Sequence, residues 1–567
     1  MLRERYLRRD ETGGLIEDPA GMLQRVAAAI AAPARLFGED AAFWEERFLE
    51  RLERLEFLPN SPTLMNAGLS GGQLAACFVL PIEDDLDSIF TALSRTARIH
   101  QTGGGTGFSF SSLRPGEDRV RSTGGIASGP LSFMELFDHA TAVIRQGGRR
   151  RGANMAVLRI DHPDIEAFIN AKRAPGRLEN FNLSVGTDEA FFDALEAGKP
   201  FPLRNPRTGR VVRTVNPDSL FDGIVEAAWA TGDPGLLFLD EINRHNPTPG
   251  LGAIEATNPC GEQPLLPCES CTLGSINLAA FTARNEVDWE RLRSAIRDAV
   301  VFLDNVIEAN CYPFPEIEAA TRRTRKIGLG VMGLAELFAK IGVPYDSMEG
   351  VALGARIAEF LTSEARAASG LLAEKRGSFP AFRESVWPGR GLSGLRNASL
   401  TCVAPTGTIS LIAGSSSGIE PFFALAFTRR VLEGRLFVEV NPAVAAMLVR
   451  LGAEGDAAMR EIRKHGSIRR IQGLPRELRR CFPIALEIAP ELHLRMQAAF
   501  QANVDAAVSK TVNFPPDAPV EAVRQVFLLA RKLQLKGITA YRYGSRPGQT
   551  LSLVDESARH DCRECAV

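Results

Sequence analysis

The sequence predicts an α/β fold in which a largely parallel sheet follows a short helical region. Downstream of Leu58, short apolar runs alternate with helical stretches and glycine-rich turns, as repeated βα units do. Upstream, apolar residues recur at helical spacing in residues 22–30 and 43–49. The clearest apolar runs, which we expect to be strands, are residues 77–80, 107–110, 235–238 and 400–403. This pattern alone does not separate a closed barrel from an open sheet.

The length of the chain sets the expected domain organisation. At 567 residues it exceeds the usual size of a single core, although closed α/β barrels are a known exception. We expect a helical region at residues 1–56, a large α/β unit at 57–546 and a flexible tail at 547–567, where periodicity is lost.

Composition and charge exclude several classes of protein. The net charge of −2 argues against nucleic acid or an anionic membrane as the main partner. No apolar run approaches the roughly 18 residues of a membrane span, and the N-terminus is too charged for a signal peptide. Nine cysteines in such a chain indicate reduced thiols or catalytic pairs, so we expect a cytoplasmic protein.

The motif Asn258-Pro-Cys-Gly-Glu262 carries the strongest chemical signal. Pro259 and Gly261 both oppose a helix, so the segment should be extended or looped. In an extended backbone, alternate residues project to one side. Asn258, Cys260 and Glu262 could then converge on one small substrate. An isolated cysteine is more often a small buried hydrophobe, but its place between an amide and a carboxylate favours chemistry.

This motif resembles the finger loop of the large catalytic subunit of ribonucleotide reductases. The longer run from Asn258 to Asn277 is most similar to the adenosylcobalamin-dependent branch of that family. Other segments similar to the family, in the same order along the chain, are residues 57–66, 146–152, 404–410, 414–421 and 536–542. The resemblance covers roughly residues 1–550 and implies a ten-stranded α/β barrel with the finger loop threaded through its centre. The unit at 57–546 is then the catalytic barrel.

The implied activity is the reduction of ribonucleotides, expected to be diphosphates, to 2′-deoxyribonucleotides for DNA synthesis and repair. A thiyl radical on Cys260 abstracts the 3′-hydrogen, Glu262 accepts the 3′-hydroxyl proton as general base, and Asn258 holds the sugar. Loss of the 2′-oxygen as water then takes two electrons from a dithiol, which becomes a disulfide. The resemblance assigns that dithiol to Cys77 and Cys271.

Sequence alone leaves Cys268 as a competitor of Cys271. We prefer Cys271 because the run that it begins, Cys-Thr-Leu-Gly-Ser-Ile-Asn, matches the family. We expect four further cysteines of the barrel region to be ordinary packing residues: Cys268, Cys311, Cys402 and Cys481.

Two nucleotide sites are expected. Hydroxyls and backbone N–H groups at residues 405–409 suit a phosphate-binding nest, although the bare motif reads as a plain turn. In the family position, the substrate site comprises Ser61, Ala76, Cys77, Gly105, Asn258, Pro259, Cys260, Gly261, Glu262, Pro405, Thr406, Gly407, Thr408 and Ile409. A deoxynucleotide effector site, at a homodimer interface in the family, comprises Asp84, Gln101 and Arg114, together with a loop of Arg149, Arg150 and Arg151. Without the family resemblance, we would expect the three arginines to form an ordinary solvated basic turn.

The source of the radical divides the family into branches. In the iron-dependent branch, adjacent tyrosines near the end of the large chain pass the radical from a partner subunit. This chain has Tyr541 and Tyr543 there, with Arg542 between them, and no glycyl-radical motif. Adenosylcobalamin is therefore the expected cofactor. The alternative is the large subunit of an iron- or manganese-dependent reductase.

Cys562 and Cys565 end the chain in a CxxC pattern that resembles the family's shuttle dithiol. Such a pair re-reduces the active-site disulfide and is itself recharged by thioredoxin or a glutaredoxin-like protein. The alternative is a zinc site shared with Cys268 and Cys271 in a non-enzymatic, nucleotide-binding regulator, but their separation along the chain is far larger than in a zinc ribbon. We expect no metal site.

Overall fold

The computed structural model describes residues 2–119, 124–144, 152–430, 436–449, 451–469, 471–546 and 551–553. Ten strands form its main sheet, and we number them β1 to β10 along the chain. They are Phe57–Pro59, Cys77–Val79, Gly105–Ser109, Asn154–Arg159, Phe181–Thr187, Gly235–Phe238, Ser270–Asn277, Ile327–Met332, Thr511–Phe514 and Gly537–Arg542.

The described ranges contain the α-helices numbered α1 to α20 in chain order. Asp18, Asp40 and Asp85 accept hydrogen bonds from first-turn amides of α2, α3 and α5, which fixes where these helices begin. The helices are Leu2–Arg5, Pro19–Ala31, Ala41–Glu53, Ser61–Asn66, Leu86–Gln101, Gly129–Ile144, Ile165–Ile169, Glu189–Ala197, Pro217–Thr231, Leu239–Arg244, Trp289–Ala309, Pro315–Thr324, Leu334–Ile341, Met348–Arg376, Ile409–Ala413, Pro442–Val449, Ala453–His465, Arg476–Cys481, Pro490–Gln501 and Val520–Lys532. The predicted helical periodicity of residues 22–30 and 43–49 is confirmed by α2 and α3.

The main sheet consists of two parallel halves that meet antiparallel. Strands β2 to β6 are parallel neighbours in chain order. In the other half, β7 is parallel to β8, and β9 is parallel to β10. The halves join where β2 pairs with β7 and where β6 pairs with β10. The short β1 lies antiparallel to β7.

Residues 401–403 close this sheet into a barrel. Thr401 forms a parallel bridge with Leu329 of β8, and Val403 forms one with Val508 just before β9. The Cys402 N–H donates to the Leu329 carbonyl over 3.1 Å, which ties this segment to β8. The run at 400–403, expected to be a strand, therefore occupies a strand position but makes isolated bridges only. The ring therefore consists of β2 to β10 and residues 401–403, with β1 paired to β7 beside it, and the expected ten-stranded α/β barrel is confirmed.

Alternation along the strands separates an inner face of the barrel from an outer one. On β2, Cys77 and Val79 belong to an inner apolar cluster, while Phe78 belongs to the cluster beneath the surrounding helices. Cys271 and Leu273 on β7 join the same inner cluster. The interior is thus lined by small and aliphatic side chains, with thiols among them.

Shorter strands form small separate sheets outside the main sheet. They are Phe201–Arg204 with Val211–Val215, Ala256–Thr257 with Pro264–Leu265, Thr282–Ala283 with Glu286–Val287, and Ala426–Arg430 with both Leu436–Val440 and Leu551–Leu553. None of the helices in the described part of the chain has the length and apolar character needed to span a bilayer.

Candidate active site

Residues 258–262 form the tip of a short hairpin. Its arms, Ala256–Thr257 and Pro264–Leu265, pair antiparallel. The Gly261 N–H donates to the Asn258 carbonyl over 3.1 Å, and Gly261 has a φ of +82°, which glycine adopts without strain. Of the two conformations expected for this motif, extended or looped, the structure shows the loop, because Pro259 and Gly261 favour a tight turn.

This hairpin lies inside the barrel and contacts several strands. Asn182 Nδ2 on β5 donates to the Pro259 carbonyl over 2.7 Å. A backbone N–H in the segment before β9 donates to the Glu262 carbonyl over 3.0 Å. Strand β3 passes so close that a Cβ on Gly107 would lie 1.9 Å from the Thr257 carbonyl oxygen. The hairpin therefore takes the place expected of a finger loop, and Asn182 is a contact that no sequence signal indicated.

The side chains of the motif differ in their exposure. Asn258 and Glu262 are each 1% exposed, whereas Cys260 is exposed at the tip of the turn. A Cβ on Gly261 would have no atom within 4 Å, so open space adjoins Cys260. The thiol can therefore be approached from outside the hairpin while the amide and carboxylate remain enclosed.

The Asn258 amide links the hairpin tip to the barrel wall. Its Oδ1 accepts hydrogen bonds from the Gln263 N–H over 2.9 Å and from Thr257 Oγ1 over 3.1 Å. Its Nδ2 donates to Cys77 Sγ over 3.1 Å. The side chain thus fixes the turn and places it against a thiol of β2.

Cys77 on β2 and Cys271 on β7 are direct cross-strand neighbours at a junction of the two half-barrels. Antiparallel partners have Cα atoms about 4.5–5.5 Å apart, within the range that a disulfide requires. Burial raises the pKa of the Cys77 thiol well above its ordinary value, and the Glu262 carboxylate adds to this shift. Burial raises the pKa of the Cys271 thiol in the same way, with further contributions from Cys402 and Glu262. Both thiols therefore keep their protons at neutral pH.

The other cysteines lie in different surroundings. Cys268 packs against the outer apolar cluster, whereas Cys271 is in the inner one, so the two do not converge on one metal ion. Cys402 is buried in the inner cluster, Cys481 is buried in a separate cluster, and Cys311 is exposed. Across the described ranges, no group of three or more His, Cys, Asp or Glu residues is arranged to hold a metal ion.

The segment proposed for substrate phosphates forms a turn that leads into α15. Thr406 has a φ of +51°, and its hydroxyl accepts a hydrogen bond from the Gly418 N–H over 2.8 Å. A Cβ on Gly407 would have no atom within 4 Å, so the backbone is open to a ligand there. Pro405 precedes this turn, Thr408 is the last residue before α15, and Ile409 begins the helix.

Three more predicted substrate residues lie around the same end of the barrel. Helix α15 packs against β1, which leads directly into Ser61 at the start of α4. Ala76 precedes β2, and its carbonyl accepts a hydrogen bond from the Gly105 N–H over 2.8 Å. A Cβ on Gly105 would lie 3.0 Å from Pro259 Cγ of the hairpin. Ala76 and Gly105 are therefore neighbours beside the finger loop.

The predicted effector residues are only partly brought together. Arg114 Nε lies 2.8 Å from Asp84 Oδ2, and the Arg114 N–H donates to Asp84 Oδ1 over 3.0 Å. Gln101 is the last residue of α5, whose 16 residues span about 24 Å, whereas Asp84 precedes its first turn. One chain therefore leaves Gln101 far from the Asp84–Arg114 pair. Arg149, Arg150 and Arg151 lie outside the described residues, as do Cys562 and Cys565.

Comparison with known proteins identifies relatives over nearly the whole chain. The family described as "Ribonucleotide reductase, barrel domain" matches residues 75–393 and 390–541. The family described as "Ribonucleotide reductase, all-alpha domain" matches residues 1–72.

Individual relatives agree with these family matches. The chain is 55% identical to a vitamin B12-dependent ribonucleoside-diphosphate reductase of Mycobacterium tuberculosis, over 97% of this chain and 80% of that protein. It is 44% identical to the protein of the same name from Thermoplasma acidophilum, over 97% of this chain and 79% of that protein. Among solved structures, the alpha subunit of a class Id ribonucleotide reductase from Actinobacillus ureae has a TM-score of 0.77, with 23% identity over 93% of this chain and 95% of that one. At this identity, the solved structure supports the fold alone.

Proposed function

The chain belongs to the ribonucleotide reductase family, and from this premise we propose that it is a vitamin B12-dependent enzyme that reduces ribonucleoside diphosphates to 2′-deoxyribonucleotides. The observation that carries the proposal is one exposed thiol, Cys260, at the tip of a hairpin inside a barrel whose wall holds the buried thiols Cys77 and Cys271. The names of the Mycobacterium and Thermoplasma relatives support both the cofactor and the diphosphate substrate.

Each side chain has a distinct part in the proposed reaction. Cys260, as a thiyl radical, takes the 3′-hydrogen of the ribose and returns it after the 2′-oxygen has left as water. Glu262 accepts the 3′-hydroxyl proton, and the Asn258 amide orients the sugar. Cys77 and Cys271 supply two electrons and two protons as they form a disulfide, which balances the loss of water. Their raised pKa values support this role, because both thiols hold the protons that the reaction consumes.

The hairpin tip fits an adenosylcobalamin-dependent start of the reaction. Cys260 is exposed, and open space adjoins Gly261, so the thiol is accessible to a bound cofactor from outside the hairpin. When bound, the cofactor supplies a radical by homolysis of its cobalt–carbon bond, and Cys260 and Gly261 are the residues that would face it. The nearest alternative source, an adjacent tyrosine pair, is missing from the sequence around Tyr541.

Activity should require adenosylcobalamin and no second subunit. The test is turnover of CDP by the purified chain with dithiothreitol, with and without the cofactor, and with a chelator to remove iron and manganese. We expect deoxycytidine diphosphate only when the cofactor is present, and a lower rate with CTP than with CDP. Activity that appears only with a metal-loaded partner protein would move the chain to the iron- or manganese-dependent branch.

We propose that the enzyme is a homodimer formed through α5 and α6. These helices pack together and expose large apolar side chains: Leu86, Phe90, Leu136 and Val143 are each at least 43% exposed. In an isologous pair, the same patch serves both copies. If the two α5 helices run antiparallel, Gln101 of one copy approaches the Asp84–Arg114 pair of the other. This arrangement would complete a deoxynucleotide effector site that one chain leaves divided.

Charges placed on the proposed interface should dissociate the dimer. We expect Phe90→Asp or Leu136→Asp to weaken dimerisation at least about 100-fold, because each change removes apolar area from both sides of an isologous interface. The measurement is the mass in solution by light scattering over a range of concentrations. Leu371→Asp, which charges an exposed apolar residue of α14, a helix that packs on α11 and α19, is the matched control and should leave the mass unchanged. A wild-type chain that is monomeric throughout would refute the proposed homodimer.

We also propose that Cys562 and Cys565 recharge the active-site pair and accept electrons from thioredoxin or a glutaredoxin-like protein. Their CxxC spacing supports this role. The expected compartment remains the cytoplasm, where such reductants keep thiols reduced.

A further inference from the structure

Strand β3 is a part of the barrel wall whose backbone lies directly against the catalytic hairpin. Gly105 and Gly107 face the hairpin, where added Cβ atoms would lie 3.0 Å from Pro259 Cγ and 1.9 Å from the Thr257 carbonyl oxygen. Because alternate residues of a strand face opposite sides, Thr106 points away from the hairpin, toward the helices. Any shift of β3 must therefore be transmitted to the hairpin, since no flexible side chain lies between them.

On its outer side, β3 is held by a buried chain of hydrogen bonds that begins at His100, near the end of α5. His100 Nε2 lies 3.0 Å from Thr106 Oγ1. Thr106 Oγ1 donates to Asn154 Oδ1 of β4 over 2.7 Å, and Asn154 Nδ2 donates to Thr141 Oγ1 of α6 over 2.9 Å. All four side chains are at most 2% exposed. Two helices and two strands are thus joined by three consecutive polar contacts.

The direction of each bond in this chain is determined by its neighbours. The Thr106 hydroxyl gives its proton to Asn154, so it accepts from His100 and requires a proton on Nε2. The Thr141 hydroxyl donates to the Phe137 carbonyl over 2.7 Å and is therefore an acceptor toward Asn154. Burial lowers the pKa of His100 to about 4, although the Ala153 carbonyl acts in the opposite sense. The imidazole is therefore neutral at physiological pH, and the chain keeps one set of donors and acceptors.

Close packing makes His100 hard to replace. A Cβ on Gly152, which precedes β4, would lie 2.6 Å from His100 Nδ1. A Cβ on Gly104 would lie 2.7 Å from Ile99 Cγ2 of α5 and 2.6 Å from Phe78 Cε2. The end of α5 therefore fits against β3 and the residues before β4 with no room for adjustment.

We propose that His100 and Thr106 are positioning residues for Cys260: through the buried chain to Asn154 and Thr141 they lock β3 to α5 and α6, and β3 in turn holds the catalytic hairpin. This inference rests on the proposed function and adds residues to it that touch neither substrate nor cofactor. It also connects the α5–α6 pair, proposed as the dimer interface, to the hairpin by direct contacts. Loss of the Thr106 hydroxyl should loosen the hairpin and misplace Cys260 more than it weakens nucleotide binding.

The test compares two substitutions of the same kind. Thr106→Val removes the hydroxyl at nearly constant volume. Thr96→Val, the matched control, removes a buried hydroxyl of α5 that donates to the Ala92 carbonyl of the same helix over 2.8 Å. With CDP, adenosylcobalamin and dithiothreitol, we expect Thr106→Val to lower kcat about tenfold with KM changed less than about twofold, because small misplacements of reacting groups are costly. Thr96→Val should keep the wild-type kcat, Thr106→Ser should restore most of it, and His100→Leu should resemble Thr106→Val.

A second measurement is independent of turnover. Iodoacetamide labelling of Cys260 without cofactor, followed by peptide mass spectrometry, should be about threefold faster in Thr106→Val than in Thr96→Val, because access governs thiol reactivity. Equal kcat and equal labelling in these two variants would overturn the inference, as would failure of Thr106→Ser to rescue. If the wild type does not reduce CDP with adenosylcobalamin, the proposed function fails. The labelling comparison still decides whether the hydrogen bonds from His100 to Thr141 position Cys260.

Discussion

Cys260→Ala should abolish nucleotide reduction while the barrel remains folded. We expect no other thiol of the described residues to take over hydrogen abstraction, because Cys260 lies exposed at the hairpin tip while Cys77 and Cys271 are enclosed in the wall. We expect a loss of at least about four orders of magnitude in kcat, measured as deoxycytidine diphosphate formed from CDP with adenosylcobalamin and dithiothreitol.

Cys311→Ala is the matched control for this change, since it truncates another exposed cysteine outside the barrel interior. It should retain the wild-type rate, and both variants should melt within a few degrees of the wild type. Measurable reduction by Cys260→Ala above the background of the assay would remove Cys260 from the mechanism.

Cys77→Ala and Cys271→Ala should each block reduction in the first round, whichever external reductant is used. Either change leaves one thiol where two electrons and two protons are needed, so the 2′-oxygen cannot be lost by the normal route. The control is Cys402→Ala, which truncates a third buried thiol of the same inner cluster. We expect this control to reduce CDP at a rate within about threefold of wild type, even if the cavity lowers stability by about 1–3 kcal/mol.

Replacing both Cys562 and Cys565 with serine should give a different failure. Product should reach about one equivalent per chain and then stop when thioredoxin is the reductant, because the buried disulfide is out of its reach. Dithiothreitol, which is small enough to enter the barrel, should restore turnover. Sustained thioredoxin-driven turnover without the tail thiols would rule out the shuttle, and bound zinc lost together with those thiols would favour a metal site instead.

The strands and the catalytic motif were predictable because their signals are local, whereas closure of the sheet into a barrel was implied only by the resemblance to ribonucleotide reductases. Apolar runs between turn residues mark the strands, and an amide, a thiol and a carboxylate within five residues mark the site. The shape of the hairpin tip was not predictable in the same way. Alternation in an extended backbone and a turn between Asn258 and Gly261 both suit Pro259 and Gly261, and the hydrogen bonds inside the barrel decide between them.

The features that the sequence did not predict depend on contacts between segments that are far apart along the chain. Nothing near Asn182 in the sequence indicates that its amide binds the Pro259 carbonyl, and nothing near His100 indicates that it shares a hydrogen-bond chain with Asn154. The separation of Gln101 from Asp84 is a simpler case. Both were expected in one site, and only the continuous helix between them shows that they lie at its opposite ends.

The location of Cys77 and Cys271 at the seam between the two half-barrels has a mechanical consequence. Their strands meet antiparallel there, so a disulfide between them would staple one half of the barrel to the other. The half-barrels would then be covalently cross-linked in the oxidised enzyme and not in the reduced enzyme. Each catalytic cycle would form and break this cross-link in the wall around the hairpin. Resistance to unfolding should therefore alternate with redox state, and the oxidised enzyme, which still has to be reduced before the next turnover, should be the more resistant form.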